Sequence, residues 1–333
     1  MIPYVIVARN VNQALEDGLW HLKTAGVKSD SRNGPVIKSP GMVITHYKRP
    51  EERILWSPQR NANPFFHLME FLWMLAGRND VKFPAEFAKQ MNEYAEEDGH
   101  IHGAYGYRWR QFFGFDQIEK LVRSLKSNSN TRRAVLQMWS CECDLGAGFK
   151  DIPCNTHAYF ERRGNALDMT VCCRSNDIIW GAYGANAVHF SMLQQFIASA
   201  IGCEVGIYNQ VSNNYHLYTE FGPGKVLLEN VGKAANTDYY RDGLVAACTI
   251  PLIRDGFERT LVDIETFVNT SSQERVESYT SNRFLIEIAG PMREWWDRGD
   301  IKVLHAMPEC DWKQASVRWA ERLILRSATL IKS

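Results

Sequence analysis

An excess of charge of either sign is missing from this chain. Its 38 lysines and arginines are matched by 38 aspartates and glutamates. A formal net charge of zero argues against general electrostatic binding to nucleic acid or to an anionic membrane. Any phosphate must therefore be met by local arginines. Long apolar runs are missing too, and none approaches a membrane span. Met1-Ile2-Pro3-Tyr4-Val5 has no basic region ahead of an apolar core, so no signal peptide is expected. Cysteine is thin, with eight in 333 residues. Without export those thiols are expected to stay reduced, in the cytoplasm. Cys141-Glu142-Cys143 is too tightly spaced for a zinc half-site and no matching pair follows, so no metal is expected. No internal repeat, low-complexity run or convincing linker is visible.

What is present reads as an α/β (α+β) catalytic domain over 1–240 with a helical extension over 241–333. Val11 to Thr24 is an amphipathic helix, with Val11, Leu15, Leu19 and Leu22 on one face. Residues 28–35 form a loop carrying Arg32, and Val36 to Tyr47 suggests strands. Asn63 suits a helix cap and Pro64 a first turn; Phe65 to Ala76 is apolar nearly all round, hence buried, and Gly77 ends it. Inside that helix Glu70 either lies on a wet edge or faces a site, because a buried carboxylate is costly unless paired or used.

Pro84 to Glu97 is a predicted helix, followed by a loop in which His100 and His102 suit hydrogen-bonding roles. Residues 104–110 alternate aromatic and basic side chains, as a nucleic-acid-binding strand would, though neutral charge weakens that idea. Gln117 to Lys126 is an amphipathic helix. Arg132 and Arg133 open the strand 134–139 and point to opposite faces; binding an anion needs a partner cation, for which Arg174 is a candidate. Residues 158–160 and 166–173 form a hairpin about Arg163-Gly164-Asn165. A long apolar helix runs from Ala185 to Ile201, and a strand follows over 204–211. His216 and Tyr218 then share one side of an extended segment. Beyond Pro223 the pattern weakens. Val262 to Phe267 and Phe284 to Ala289 are short helices, the second broken by Gly290-Pro291, and Trp312 to Ile331 is a longer one.

The chemistry gathers near Cys154. A lone cysteine is usually a small buried hydrophobe. Here Arg174 lies across the predicted hairpin, and a guanidinium lowers a thiol pKa. Cys172 and Cys173 are weaker candidates inside an apolar strand. Asn186 follows Gly181 and Gly184 at a helix start, where a plain N-cap explains it. Its amide can also donate and accept at once, which matches the O4 and N3–H pair of uracil.

Several motifs stand in a recognisable order: Glu70-Phe71-Leu72-Trp73, Tyr105-Gly106, Arg132-Arg133, Pro153-Cys154, Arg174-Ser175-Asn176-Asp177, the glycine turn ending at Asn186, and His216-Leu217-Tyr218. Over roughly residues 11–220 the chain resembles the thymidylate synthases. That resemblance implies a three-layer fold around a mixed sheet, in a homodimer. It implies that Cys154 adds to C6 of a pyrimidine nucleotide, with 5,10-methylenetetrahydrofolate supplying one carbon to C5. Arg32, Arg174 and Ser175 would hold the phosphate, with Arg132 and Arg133 reaching in from the partner subunit. Asn186 would read the base, His216 and Tyr218 the sugar 3′-OH. Glu70 and Tyr105 would organise water and protons, and Asp177 and Gly181 would line the folate site.

The chain also departs from that family's pattern. Asn155 follows the cysteine where the family has histidine. Met91 and Tyr94 stand in the folate site where the family has two tryptophans. The turn before Asn186 has one extra residue, and the apolar end that closes over folate is not evident in residues 328–333. Cys154-Asn155-Thr156 looks more like the phage deoxycytidylate hydroxymethylase branch, where water completes the reaction. The expected activity is therefore folate-dependent C5 hydroxymethylation of a nucleoside monophosphate. Asn186 stands where the cytosine enzymes carry aspartate, which favours dUMP and leaves dCMP and CMP open. The alternatives are a divergent thymidylate synthase and a non-catalytic homologue binding nucleotides or its own messenger RNA. A zinc deaminase is excluded, because His157 stands where a second cysteine is required after Pro153-Cys154.

Overall fold

The computed structural model describes residues 2–233, 237–253 and 256–330, with 326–330 described by backbone alone. Its strands are β1 (Tyr4–Ala8), β2 (Val27–Ser29), β3 (Val36–Lys38), β4 (Val43–Tyr47), β5 (Val135–Gln137), β6 (Asn155–Arg163), β7 (Ala166–Cys173), β8 (Asn176–Asp177), β9 (Glu204–Ser212) and β10 (Tyr215–Tyr218). A six-stranded mixed sheet has the order β1-β4-β9-β7-β6-β5, and a smaller sheet the order β2-β3-β10-β8. β6 and β7 form the expected hairpin, and Gly164 supplies its positive φ of 61°.

Strand alternation decides what the large sheet buries. Ile6 and Ala8 of β1 face inward, and the helices Val11–Ala25, Gln117–Ser127 and Asn186–Ile201 pack on that side. The opposite face carries a row running through Val7, His46, Asn209, Thr170, Tyr159 and Val135, strand to strand. Val7, Tyr159 and Val135 in that row are exposed. Among the described residues, one side of the sheet is therefore left without a covering layer.

The helix Pro64–Leu75 forms as its sequence dictates. Asn63 Oδ1 accepts the Phe66 amide, Pro64 sits in the first turn, and Gly77 follows at φ 70°. Its large apolar side chains are buried, each contributing about 2 kcal/mol. One flank meets the Asn186–Ile201 helix. The other meets Phe257–Asn269, Gly290–Arg298 and Asp311–Leu330, which form an outer layer. Sheet, inner helices and outer helices make three layers.

Several expectations are corrected. The helix predicted over 84–97 breaks at Ala88, whose φ of −150° is extended; a helix over Lys82–Phe87 precedes it and a 3-10 turn over Lys89–Glu93 follows. Residues 105–112 are helical rather than a strand, and Arg108 is fully buried on Asp144 instead of offered to a polyanion. Gly290-Pro291 does not break the chain. Its proline falls in a first turn, where no amide partner is lost, and a wide helical turn over Leu285–Ala289 runs straight into Gly290–Arg298. The last predicted helix begins at Asp311, and Ile331 lies outside the described residues.

Candidate active site

Strand register assembles the site. Asn155 pairs with Cys173, Cys173 with Ser212, Asn176 with Tyr215 and Asp177 with His216. A bulge follows at once between Asn155 and His157, where Met138 and Trp139 both donate to Thr156 O. Such a bulge re-aims the side chains before it. The Arg174 amide donates to Cys154 O at 2.8 Å, so cysteine and arginine are neighbours as the hairpin spacing implied. The Arg174 guanidinium donates to Pro153 O and Ile152 O, both at 2.9 Å.

Inside this cluster runs a chain of side-chain amides. Tyr105 Oη accepts the backbone amides of Cys154 at 3.2 Å and Asn155 at 3.1 Å, and Asn155 Nδ2 at 3.0 Å. Asn155 Nδ2 also donates to Asn186 Oδ1 at 2.9 Å, and Asn186 Nδ2 to Asn176 Oδ1 at 3.1 Å. Asn176 Nδ2 donates to Gln210 Oε1 at 3.1 Å and Ser212 Oγ at 2.9 Å, and Gln210 Nε2 to Tyr208 Oη at 3.0 Å. The three asparagines are buried. Asn186 is thus not a helix cap. It lies inside the first turn, its backbone amide donates to Gly181 O, and its side chain belongs to the chain of amides. That bond spans five residues, a π-type turn, which is how a helix absorbs one extra residue. Gly181 is required there, since a Cβ would come within 2.7 Å of Asn176 Oδ1.

Glu70 faces the site. Its Oε2 is buried, with His189 Nε2 at 3.3 Å, and no hydrogen bond of ordinary geometry satisfies it. Burial, with help from Asp151, pushes its pKa up to about 8, so it is largely protonated at neutral pH. Burial pushes His189 down to about 4. Burial also raises the Asp151 carboxyl and takes the Tyr105 phenol well above its ordinary range. The expectation of a lowered Cys154 pKa is corrected: desolvation raises it, and Arg174 and Arg32 offset this only in part.

The outer residues are more exposed. Arg32 is exposed and bonded to neighbouring Asn33, yet its charge reaches the Cys154 thiol. Arg132 and Arg133 are exposed, and the structure does not bring them to Cys154. Ser175 is half-buried beside Arg174. His216 and Tyr218 do share one side, their rings 5.2 Å apart. Asp177 Oδ1 accepts the amides of Ile179 and Trp180, while Oδ2 is buried without a hydrogen bond of ordinary geometry. Burial raises that carboxyl, and His216 opposes the shift. Trp180, Phe221 and Tyr94 are exposed, and Tyr218 lies against Phe221 at 4.4 Å. Met91 is half-buried at the foot of the Tyr94 turn.

Sequence reasoning missed Asp151, His189, Gln210 and the use of Asn176. Asn176 stood inside a motif already singled out and Asp151 stands three residues before Cys154, so adjacency to Arg174 and Cys154 was the available signal. His189 and Gln210 carried none, because only the packing of the long helix and β9 turns them inward. Among the described residues no three His, Cys, Asp or Glu side chains gather as a metal site would require. None of the described helices is long and apolar enough to cross a membrane.

Residues 21–238 match the thymidylate synthase family. A deoxyuridylate hydroxymethyltransferase of Pseudomonas phage M6 is 43% identical over 334 residues, 96% of this chain and 94% of its own. Proteins of the same name from Bacillus phage SP01 and Delftia phage PhiW-14 are 32% and 28% identical. They align with 63% and 66% of this chain, and with 57% and 64% of their own lengths.

Proposed function

Because the chain belongs to the thymidylate synthase family, we propose that it converts dUMP to 5-hydroxymethyl-dUMP, taking one carbon from 5,10-methylenetetrahydrofolate and oxygen from water. The observation that carries this reading is the junction of Cys154 with Tyr105, Asn155 and Asn186 through hydrogen bonds of 2.9–3.2 Å. A nucleophile stands beside a buried amide able to read a pyrimidine edge.

The Cys154 thiolate bonds to C6 and leaves again when the product forms, which makes C5 transiently nucleophilic. Its raised pKa keeps the resting thiol protonated, so substrate meets a protected nucleophile. Asn186 orients the base. Glu70, protonated at neutral pH, and Tyr105 hold the water and protons at the ring. Arg174, Arg32 and Ser175 take the phosphate, and His216 and Tyr218 the sugar hydroxyl.

The folate ring is flat and carries N–H donors. The exposed aromatics Trp180 and Phe221 and the buried Asp177 carboxylate suit such a ring, beside Gly181. When bound, it supplies a carbon at the oxidation level of formaldehyde. Met91 and exposed Tyr94, in place of two bulky indoles, leave the approach open to water. The balance is dUMP plus methylenetetrahydrofolate plus water, giving the hydroxymethyl nucleotide and tetrahydrofolate.

The bare sheet face, with Val7, Tyr159 and Val135 exposed, supports a homodimer in which each subunit lends Arg132 and Arg133 to its partner's phosphate site. The outer helices of the 241–333 extension then serve to bury the Glu70 helix. We place the reaction in the cytoplasm of a phage-infected host, as a supply of modified base for DNA. Incubating the enzyme with dUMP, dCMP and CMP in turn, with methylenetetrahydrofolate, and identifying the products by mass tests the reading. A hydroxymethyl nucleotide from dUMP is expected, and turnover of none of the three would overturn it.

A further inference from the structure

The amide chain has a direction. Every link donates the same way, from Asn155 to Asn186, Asn176, Gln210 and Tyr208. Turning the Asn186 amide alone would set nitrogen against Asn155 Nδ2 and oxygen against Asn176 Oδ1. Both contacts are at hydrogen-bond distance, and both would become repulsive. Asn186 therefore cannot turn by itself. With Oδ1 toward Asn155 and Nδ2 toward Asn176, it keeps one lone pair and one hydrogen for the base. That offer matches a ring N–H beside a carbonyl, as in uracil, and opposes the ring nitrogen and amino group of cytosine.

We propose that Asn155 is the positioning residue that sets this direction and so makes the enzyme prefer uracil to cytosine nucleotides. The inference rests on the reading of the site as one that modifies C5 of a pyrimidine. Its ground is at the Tyr105 end. The backbone amides of Cys154 and Asn155 can only donate, so Tyr105 Oη turns its lone pairs to this side. Asn155 presents its amino group to Tyr105 and the same amino group reaches Asn186, while its Oδ1 is buried without a hydrogen bond. At its far end the chain stops at two hydroxyls, Ser212 and Tyr208, which donate or accept equally well. All the amides can therefore reverse together without orphaning a link, once the residue at 155 accepts instead of donating.

Two acidic substitutions at opposite ends of the chain separate direction from mere charge. Asn155→Asp offers only acceptors at the start and pulls Asn186 Nδ2 round toward itself. Gln210→Glu offers an acceptor to Asn176 Nδ2, which the present direction already requires. The readout is kcat/KM for dUMP and for dCMP, taken at alkaline pH where the new carboxylates are ionised. Wild type must turn over dUMP; if it turns over neither nucleotide, the reading of the site has failed, separately from the chain. Given that activity, Asn155→Asp is expected to lower the dUMP-to-dCMP ratio at least about tenfold, with dCMP turnover itself rising, while Gln210→Glu keeps the wild-type ratio. An unchanged ratio in Asn155→Asp, or the same shift in both variants, would overturn the proposal. If Asn155→Asp does not fold, Asn155→Ala removes the anchor and should bring the ratio toward unity; an unchanged ratio there overturns it equally.

Discussion

The two ends of the proposed nucleotide site are built differently. At the base end, Tyr105, Asn155, Asn186, Asn176 and Gln210 are joined by hydrogen bonds within a single chain. At the phosphate end, Arg32, Arg132, Arg133 and Arg174 are exposed, and Arg174 is tied down by two backbone carbonyls. A neutral base is read by buried dipoles, which must be fixed beforehand because an unpaired buried amide is costly. A dianion is met by solvated cations that lose less by waiting in water. The difference teaches that the base end is finished within one chain, whereas the phosphate end is left open to the second subunit that the proposed homodimer would bring.

The largest effect should come at the junction of the two ends. Cys154→Ala should lower dUMP turnover by at least about 10³-fold. It should leave dUMP binding, followed by calorimetry, within a few-fold of wild type, since neither end is touched. Loss of binding in step with turnover would break the separation of roles. Next comes the shared rim. Arg133→Ala should raise the KM for dUMP roughly 10- to 100-fold, the worth of a charged hydrogen bond, with little change in base preference. At dUMP well below the KM of the variant, mixing Arg133→Ala with Cys154→Ala subunits should recover roughly a quarter of wild-type activity, because half the dimers are hybrids and each keeps one native site. Hybrids that form and stay inactive would contradict a shared rim.

The smallest effect is the pH dependence of the buried end. With its pKa near 8, Glu70 should make kcat fall as pH rises through about 8, and Glu70→Gln should flatten that limb while lowering kcat. The same proton links to stability. A pKa raised from 4.5 to about 8 on folding gives stability that is full below 4.5 and is lost as pH rises through about 8. Glu70→Gln, neutral throughout, should therefore raise Tm relative to wild type more at about pH 9 than at about pH 5. An equal Tm difference at both would mean that Glu70 is not buried as the structure has it.

Elements with strong local signals were legible in the sequence: the capped Pro64–Leu75 helix, the hairpin about Gly164 and the helix closed by Gly202. The break at Ala88 was not, because residues 84–97 carry no internal glycine or late proline to announce it. The segment 104–110 misled because alternating aromatic and basic side chains mimic a strand, while Arg108 is held by Asp144, far along the chain. In the site, Cys154, Glu70, Tyr105 and Asn186 were readable as residue types in order. Their connection was not, since it depends on register between β6, β7 and β9 and on which way each amide faces. The thiol pKa was misjudged for a related reason. A neighbouring cation is visible in sequence, but the burial that outweighs it is not.

The central claim is that water, entering past Tyr94, completes the reaction. The most direct measurement is the mass of the dUMP product together with the oxidation state of the released folate. The account predicts a nucleotide heavier by CH2O and released tetrahydrofolate. A nucleotide heavier by CH2, with dihydrofolate released in equal amount, would contradict it.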